Sequence, residues 1–288
     1  MDMECFMHQE QAFREFSIPA HPAVLSELQQ LNQSPHASLG QFADLIARDV
    51  GLSASVLKTV NAPAFGLGRQ ITDIHNAVNL LGTRVVSQLV AGQLLRQSIR
   101  GKSSISLEKF WDTATQTAQV MLVLRDHLRL RPACSSEDAY SFGLFRDCGI
   151  PIMAIRYPDY REVLMEANDA PQQVFTEVEE RHYPVNHAII GYYVTQSWHL
   201  PDALAQLILR HHDPSFLEDT RVSGAQKTLY ALAKVAVNVL SRVKYQKEDP
   251  EWPAVGGSVL EYLQLSEYDH DILQADMADE LMLRQDIC

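Results

Sequence analysis

The chain has 288 residues, 46% of them hydrophobic and 21% charged, with a formal net charge of −12. That balance belongs to an ordinary globular protein long enough for a sizeable core, and it excludes a disordered or low-complexity chain. The acidic excess repels a phosphate backbone, and the basic residues Lys102, Arg125, Arg129, Arg131, Arg242, Lys244 and Lys247 are scattered among acids instead of forming a stripe, so a nucleic-acid partner is not expected.

Cys5, Cys134, Cys148 and Cys288 form no Cys-x-x-Cys pair, which argues against a zinc cluster and for reduced thiols in a cytoplasm. Met1-Asp2-Met3-Glu4 is acidic where a secretory leader is basic, and no apolar run approaches the roughly 20 residues that cross a bilayer. A cytoplasmic chain with no membrane partner is the expectation.

Strand signals are nearly absent, with no Asn-Gly or Asp-Gly turn and no long alternation of period two, whereas helix punctuation recurs throughout. The expected fold class is all-α. Ile18-Pro19-Ala20-His21-Pro22 is extended, because residues before proline are pushed out of the α region. A helix follows over about residues 23–31 with Val24, Leu25, Leu28 and Leu31 on one face. Ser38 and Gln41 make a capping box for the next, with Leu39, Phe42, Leu45 and Ile46 inward and Gly51 as its left-handed stop. Ser53 caps a third helix carrying Val56, Leu57 and Val60, which Pro63 ends. Asp73 opens a helix that ends at Gly82, and Thr83 begins a long one with Val85, Val86, Leu89, Val90, Leu94 and Leu95. Together these predict an amino-terminal helical bundle over residues 17–100.

Gly101-Lys102-Ser103-Ser104, small and polar between two periodic segments, marks a boundary. Beyond it, Pro184 and Pro201 suit the first turns of helices over about 184–199 and 201–212, the second closed by Pro214. Ser223 and Gln226 form a capping box ahead of a long helix bearing Leu229, Leu232, Ala236, Val239, Leu240 and Val243. Residues 249–257 contain two prolines and two glycines and read as a linker, after which Ser266 and Asp269 cap a final acidic helix. A second bundle over 104–247 and a helical extension over 258–288 are the expectation.

One heptad stands out: Gly143-Leu144-Phe145-Arg146-Asp147-Cys148-Gly149, an apolar run and an Asp between two glycines. Phe110-Trp111 precedes it, and His187 to Gly191, Trp198, Leu200-Pro201 and His211-His212 follow. The first half carries Asp49, Leu52, Val56, Leu57, Asn61, Phe65 and Gly66, then Ala77, Val78, Leu81 and Gly82. In this order and spacing, residues 17–213 resemble the HDOD family, the HD-related output domain of bacterial signalling proteins. The related HD enzymes are metal-dependent phosphohydrolases in which a His-Asp pair ligates a divalent cation. Here Arg146 stands at the histidine position, and a guanidinium has no lone pair to offer. The HD pattern would also place a histidine near Thr113 and an Asp near Leu232-Ala233. This chain has neither, and Lys234 follows directly.

The resemblance therefore implies an HD-like binding scaffold, not a hydrolase, that acts in trans within motility, chemotaxis or cyclic-dinucleotide signalling. The binding candidates are Asn61, Phe65 and Gly66 in the first bundle and Arg146, Asp147, His187, His211, His212 and Lys234 in the second. The degenerate cleft and a groove between the subdomains would take a signalling protein or a small anion such as a nucleotide. Arg146 and Lys234 stand where a metal's charge would have been, which suits an anion. No cofactor or metal is expected, and an ion, if held at all, would take Asp147, His187, His211 and His212.

Plainer accounts exist for several of these residues. Arg146 and Asp147 form an ion pair, and His187 is a buried histidine with one hydrogen-bond partner. His211 and His212 occupy the last turn of a helix, where the dipole favours a cation. Glu179 and Glu180 belong to a charged run, Glu177 to Arg181, and read as a solvated helix face. Two functional alternatives remain: a metal-dependent phosphohydrolase with a reduced ligand set, and a helix-turn-helix at Ala47 to Val60 that would face DNA with Ser53, Ala54, Ser55, Lys58 and Thr59. The last offers a single cation to phosphate. No Gly-x-Ser-x-Gly, Gly-rich phosphate loop or His-Glu-x-x-His is present.

Overall fold

A computed structural model of the chain describes Phe16, residues 18–171 and residues 173–285, with side chains through residue 279. The acidic leader, Cys5 and Cys288 lie outside the described residues. Those described contain helices and no strand, as the punctuation of the sequence requires. They divide into two compact units: residues 19–100, and a larger unit of Phe16, Ile18 and the residues from Gly101 onward.

The smaller unit contains α1 (Ala23–Gln33), α2 (Leu39–Ala47), α3 (Val50–Val60) and α4 (Ile74–Ser98). α4 packs against each of the other three, burying Val78, Val86 and Val90 with Leu28, Phe42, Ile46, Val56 and Val60. The expected capping box of α2 is present, with Ser38 Oγ accepting from the Gln41 amide. α4 breaks at Gly82 (φ 82°, ψ 165°), where the sequence places a helix end, and resumes immediately. The α2–α3 connection differs from expectation. Asp49, not Ser53, is the N-cap of α3, its Oδ1 accepting from the Leu52 amide at 2.9 Å, and Gly51 lies inside the first turn of that helix. A carboxylate satisfying an orphan amide starts the helix earlier than a hydroxyl four residues on, and Ser53 Oγ instead donates to the Ile46 carbonyl at 3.0 Å. Thr59, part of the face a helix-turn-helix would turn to DNA, is buried.

The larger unit contains α5 (Leu107–His127), α6 (Ser136–Phe145), α7 (Ile150–Arg156), α8 (Tyr160–Asn168), α9 (Phe175–His182), α10 (His187–Ser197), α11 (Asp202–Arg210), α12 (Gly224–Tyr245), α13 (Trp252–Leu263) and α14 (Glu267–Gln285). α5 packs on α6 and α12, α10 on α7 and α11, and α12 on α13. Trp198, Tyr160, Phe142, Phe145 and Phe216 are fully buried among them. Two expectations are corrected. α10 begins at His187, because Asn186 Oδ1 caps the Ile189 amide at 2.9 Å; that bond sets the start, and Pro184 stays outside. Residues 252–257 are helical, not a linker: Pro253 sits in the first turn, where its missing N–H costs nothing, and buried Trp252, Val255, Val259 and Leu260 recur at helical spacing.

Candidate metal centre

Asp147 is delivered by a tight turn between α6 and α7. Gly149 ends that turn against the start of α10, where an added Cβ would lie 2.0 Å from the His187 carbonyl oxygen. Only glycine allows this approach, and it brings Asp147 to the imidazole of His187. His211 is the C-cap of α11 and His212 follows it.

Asp147 Oδ1 lies 3.0 Å from His211 Nε2 and 3.8 Å from His187 Nε2. His187 Nε2 is 3.4 Å from His211 Nε2 and 3.1 Å from His212 Nε2. One atom from each of Asp147, His187, His211 and His212 falls within 4.8 Å of all the others. Four donors on a tetrahedral zinc at about 2.0 Å would stand about 3.3 Å apart, so several of these separations already match.

The other ring nitrogen of every histidine is engaged. His187 Nδ1 meets Glu179 Oε2 at 2.7 Å, His211 Nδ1 meets the Ile208 carbonyl at 2.7 Å, and His212 Nδ1 meets Glu251 Oε1 at 2.6 Å. Carboxylates and carbonyls accept, so Nδ1 carries the proton in each ring. In their neutral form the rings therefore turn three Nε2 lone pairs and one carboxylate oxygen toward a common point, an arrangement that fits a cation and repels itself otherwise. Carboxylate or carbonyl support behind each imidazole is the usual backing of a histidine metal ligand. Phe175 closes one side, stacked on His212 with ring centroids 5.0 Å apart and edge-on to His187.

Burial opposes ionisation of Asp147, but the charge of the adjacent Arg146 guanidinium holds its carboxyl well below the usual range. Burial lowers His211 below its ordinary value and His212 well below, with Asp147 and Glu251 opposing. For His187, burial is outweighed by Glu179, and the pKa is raised. Lys234 is likewise raised, against burial, by Glu251.

The expected anion pocket is corrected by these contacts. Arg146 is bound to Asp147 Oδ2 at 2.6 Å and Lys234 to Glu251 Oε2 at 2.6 Å. The carboxylates of Asp147, Glu179 and Glu251 outnumber those two cations, so the cleft is acidic. Glu179 is also corrected: it is 0% exposed, not solvated. It accepts from Tyr160 Oη, from His187 Nδ1 and from the His187 amide. Glu251 and Tyr160 were not candidates from sequence, since no spacing rule links Glu251 to the rear nitrogen of His212, 39 residues away, or Tyr160 to Glu179, 19 residues away.

Asn61, Phe65 and Gly66 lie in the smaller unit. Asn61 Nδ2 donates to the carbonyls of Leu57 (2.9 Å) and Ile71 (2.7 Å), and its Oδ1 accepts from the Ile71 amide at 2.7 Å. It clasps the loop that contains the Pro63–Phe65 turn, which Gly66 ends in the left-handed region (φ 62°). Asn61→Ala is expected to destabilise that unit by about 1–3 kcal/mol and to expose the Ile71 amide; hydrogen exchange that stays slow there would refute the clasp.

The HDOD domain family matches residues 18–214, and the chain belongs to that family. An uncharacterized protein of Treponema pallidum is 28% identical over 204 residues, 68% of this chain, and the chain spans 38% of that relative's length. Among solved structures, an HDOD domain protein of Geobacter sulfurreducens superposes with a TM-score of 0.69 at 19% identity, covering 98% of this chain and 97% of the other. A protein of Marinobacter aquaeolei, provisionally described as a signal transduction protein, gives 0.70 at 18% identity over 98% of this chain and 63% of its own. At these identities the likeness is one of fold.

Proposed function

We propose that this chain is a non-enzymatic signal-transduction protein whose HD-like unit holds one divalent cation in a closed site and acts through contact with a protein partner. The observation that carries the reading is the convergence of Asp147 Oδ1 and the Nε2 atoms of His187, His211 and His212, with every rear nitrogen engaged. A catalytic zinc keeps an open position for water, whereas a structural one takes all four ligands from the protein. Here the chain offers four, and Arg146 occupies the second oxygen of Asp147. When bound, the ion supplies positive charge that balances the acidic cleft and ties the three segments together. Nitrogen-rich donors with one carboxylate suit zinc over calcium or magnesium. An acidic cleft disfavours a nucleotide there, and among the described residues no helix is long and apolar enough to cross a membrane. A protein partner is further supported by the provisional signalling description of the Marinobacter neighbour.

The test is metal analysis of protein purified without chelator and then exposed to zinc, beside an assay with a generic phosphodiester. About one equivalent of bound cation per chain, lost in His187→Ala, without hydrolysis above background is the expected result. Failure to take up zinc would overturn the cation site. Turnover near the ordinary enzymatic range of about 1 s⁻¹ or above would establish the phosphohydrolase reading instead.

A further inference from the structure

The segment matched by the family ends at residue 214, yet the polar environment of the cluster does not end there. Lys234, on α12, is 5% exposed. Glu251 stands just ahead of α13, where the Asp249 amide donates to Asn238 Oδ1 at 2.9 Å and the Glu251 amide to Asp249 Oδ1 at 3.1 Å. This folded turn drops the Glu251 carboxylate between two donors, His212 Nδ1 on Oε1 and Lys234 Nζ on Oε2, each at 2.6 Å.

We infer that Glu251 is a positioning residue for the cation site, fixing the tautomer of His212 through Nδ1–H so that Nε2 presents a lone pair, and that Lys234 holds Glu251 in that role. The inference rests on the cation site proposed above. It extends the functional unit of this chain at least to residue 251, beyond the family-matched segment.

The atoms make a specific demand. Both partners of Glu251 are donors, so two accepting oxygens are required. Glutamine offers one accepting oxygen and one donating NH2. In Glu251→Gln the amide oxygen goes to the ammonium, and the NH2 faces His212. His212 then accepts at Nδ1 and carries its proton on Nε2, where no lone pair is left for a cation. In the double variant Lys234→Met/Glu251→Gln the competing donor is gone. The amide oxygen is free to accept from His212 Nδ1–H, and the original tautomer returns.

The experiment is zinc affinity by chelator competition on the full chain, with the His212 tautomer read from nitrogen-15 imidazole spectra. Glu251→Gln is expected to bind about 10–100-fold more weakly and to show His212 protonated at Nε2. The double variant is expected to recover most of the affinity and the Nδ1–H form. Affinity and tautomer unchanged in Glu251→Gln would overturn the inference. So would a double variant no better than the single, because with the competing ammonium gone the amide oxygen is left with only His212 Nδ1–H to accept from. Should Glu251→Gln not fold, a folded double variant with wild-type affinity and tautomer supports the inference, and one that binds weakly overturns it. Wild-type protein that takes up no zinc would instead overturn the cation site itself, so the two failures are distinguishable.

Discussion

Replacing Glu179 with alanine is expected to cost the larger unit about 3–5 kcal/mol, the largest loss from any single side chain at the site. The carboxylate is fully buried and accepts three hydrogen bonds. Its removal strands the Tyr160 hydroxyl and the His187 ring without water to replace it. Burial and the Glu179 charge already push the Tyr160 pKa well above its ordinary value, so its hydroxyl remains a donor with nothing to receive it. The measurement is thermal or denaturant unfolding, where a loss of this size lowers the melting temperature by about 6–20 °C for a unit of this length. Glu179→Gln keeps the shape but not the accepting capacity and should fall between. An alanine variant within about 1 kcal/mol of the parent would mean that Glu179 does not support His187.

Gly149→Ala is the second large effect. The new methyl would stand 2.0 Å from the His187 carbonyl oxygen and 2.9 Å from the Gly191 amide nitrogen, both backbone atoms of α10. Neither can swing aside as a side chain can, so α7 and α10 must separate and carry Asp147 away from His187. A destabilisation of about 1–3 kcal/mol or more is expected, together with weaker cation uptake by the Asp147 cluster. Gly224→Ala is the matched control. It lies in the first turn of α12 with nothing within 4 Å of the added Cβ, and it should be neutral or stabilising by up to about 1 kcal/mol. Equal effects at the two positions would show that helix propensity, not close approach, governs Gly149.

Much of this architecture is legible because it is local. The capping boxes at Ser38–Gln41 and Ser223–Gln226 form as their spacing predicts, and the all-helical class follows from such punctuation. The histidines and Asp147 are also identifiable, since they sit in a motif with recognisable order. Glu179 is not, because its charged neighbours give the signature of a solvated face while a single position of that helix turns inward beside Val178. Glu251 is hidden for a different reason. Prolines and glycines dominate its surroundings, and the helical spacing of Trp252, Val255 and Val259 carries less weight in a short window than those breakers do. The pairing of Arg146 with its neighbour Asp147 is plain in the sequence, but the carboxylate that neutralises Lys234, that of Glu251, becomes visible only after packing.

The donors of the cluster come from far apart along the chain: Asp147 and His211 are 64 residues distant, and His212 and its supporting Glu251 another 39. No short peptide cut from this protein can assemble that grouping. Its completion must therefore be among the last events as the chain collapses, after α6, α10, α11 and the turn before α13 have all found their places. An ion captured there discriminates the finished unit from every partly assembled one, and its binding free energy adds to the stability of the folded state alone.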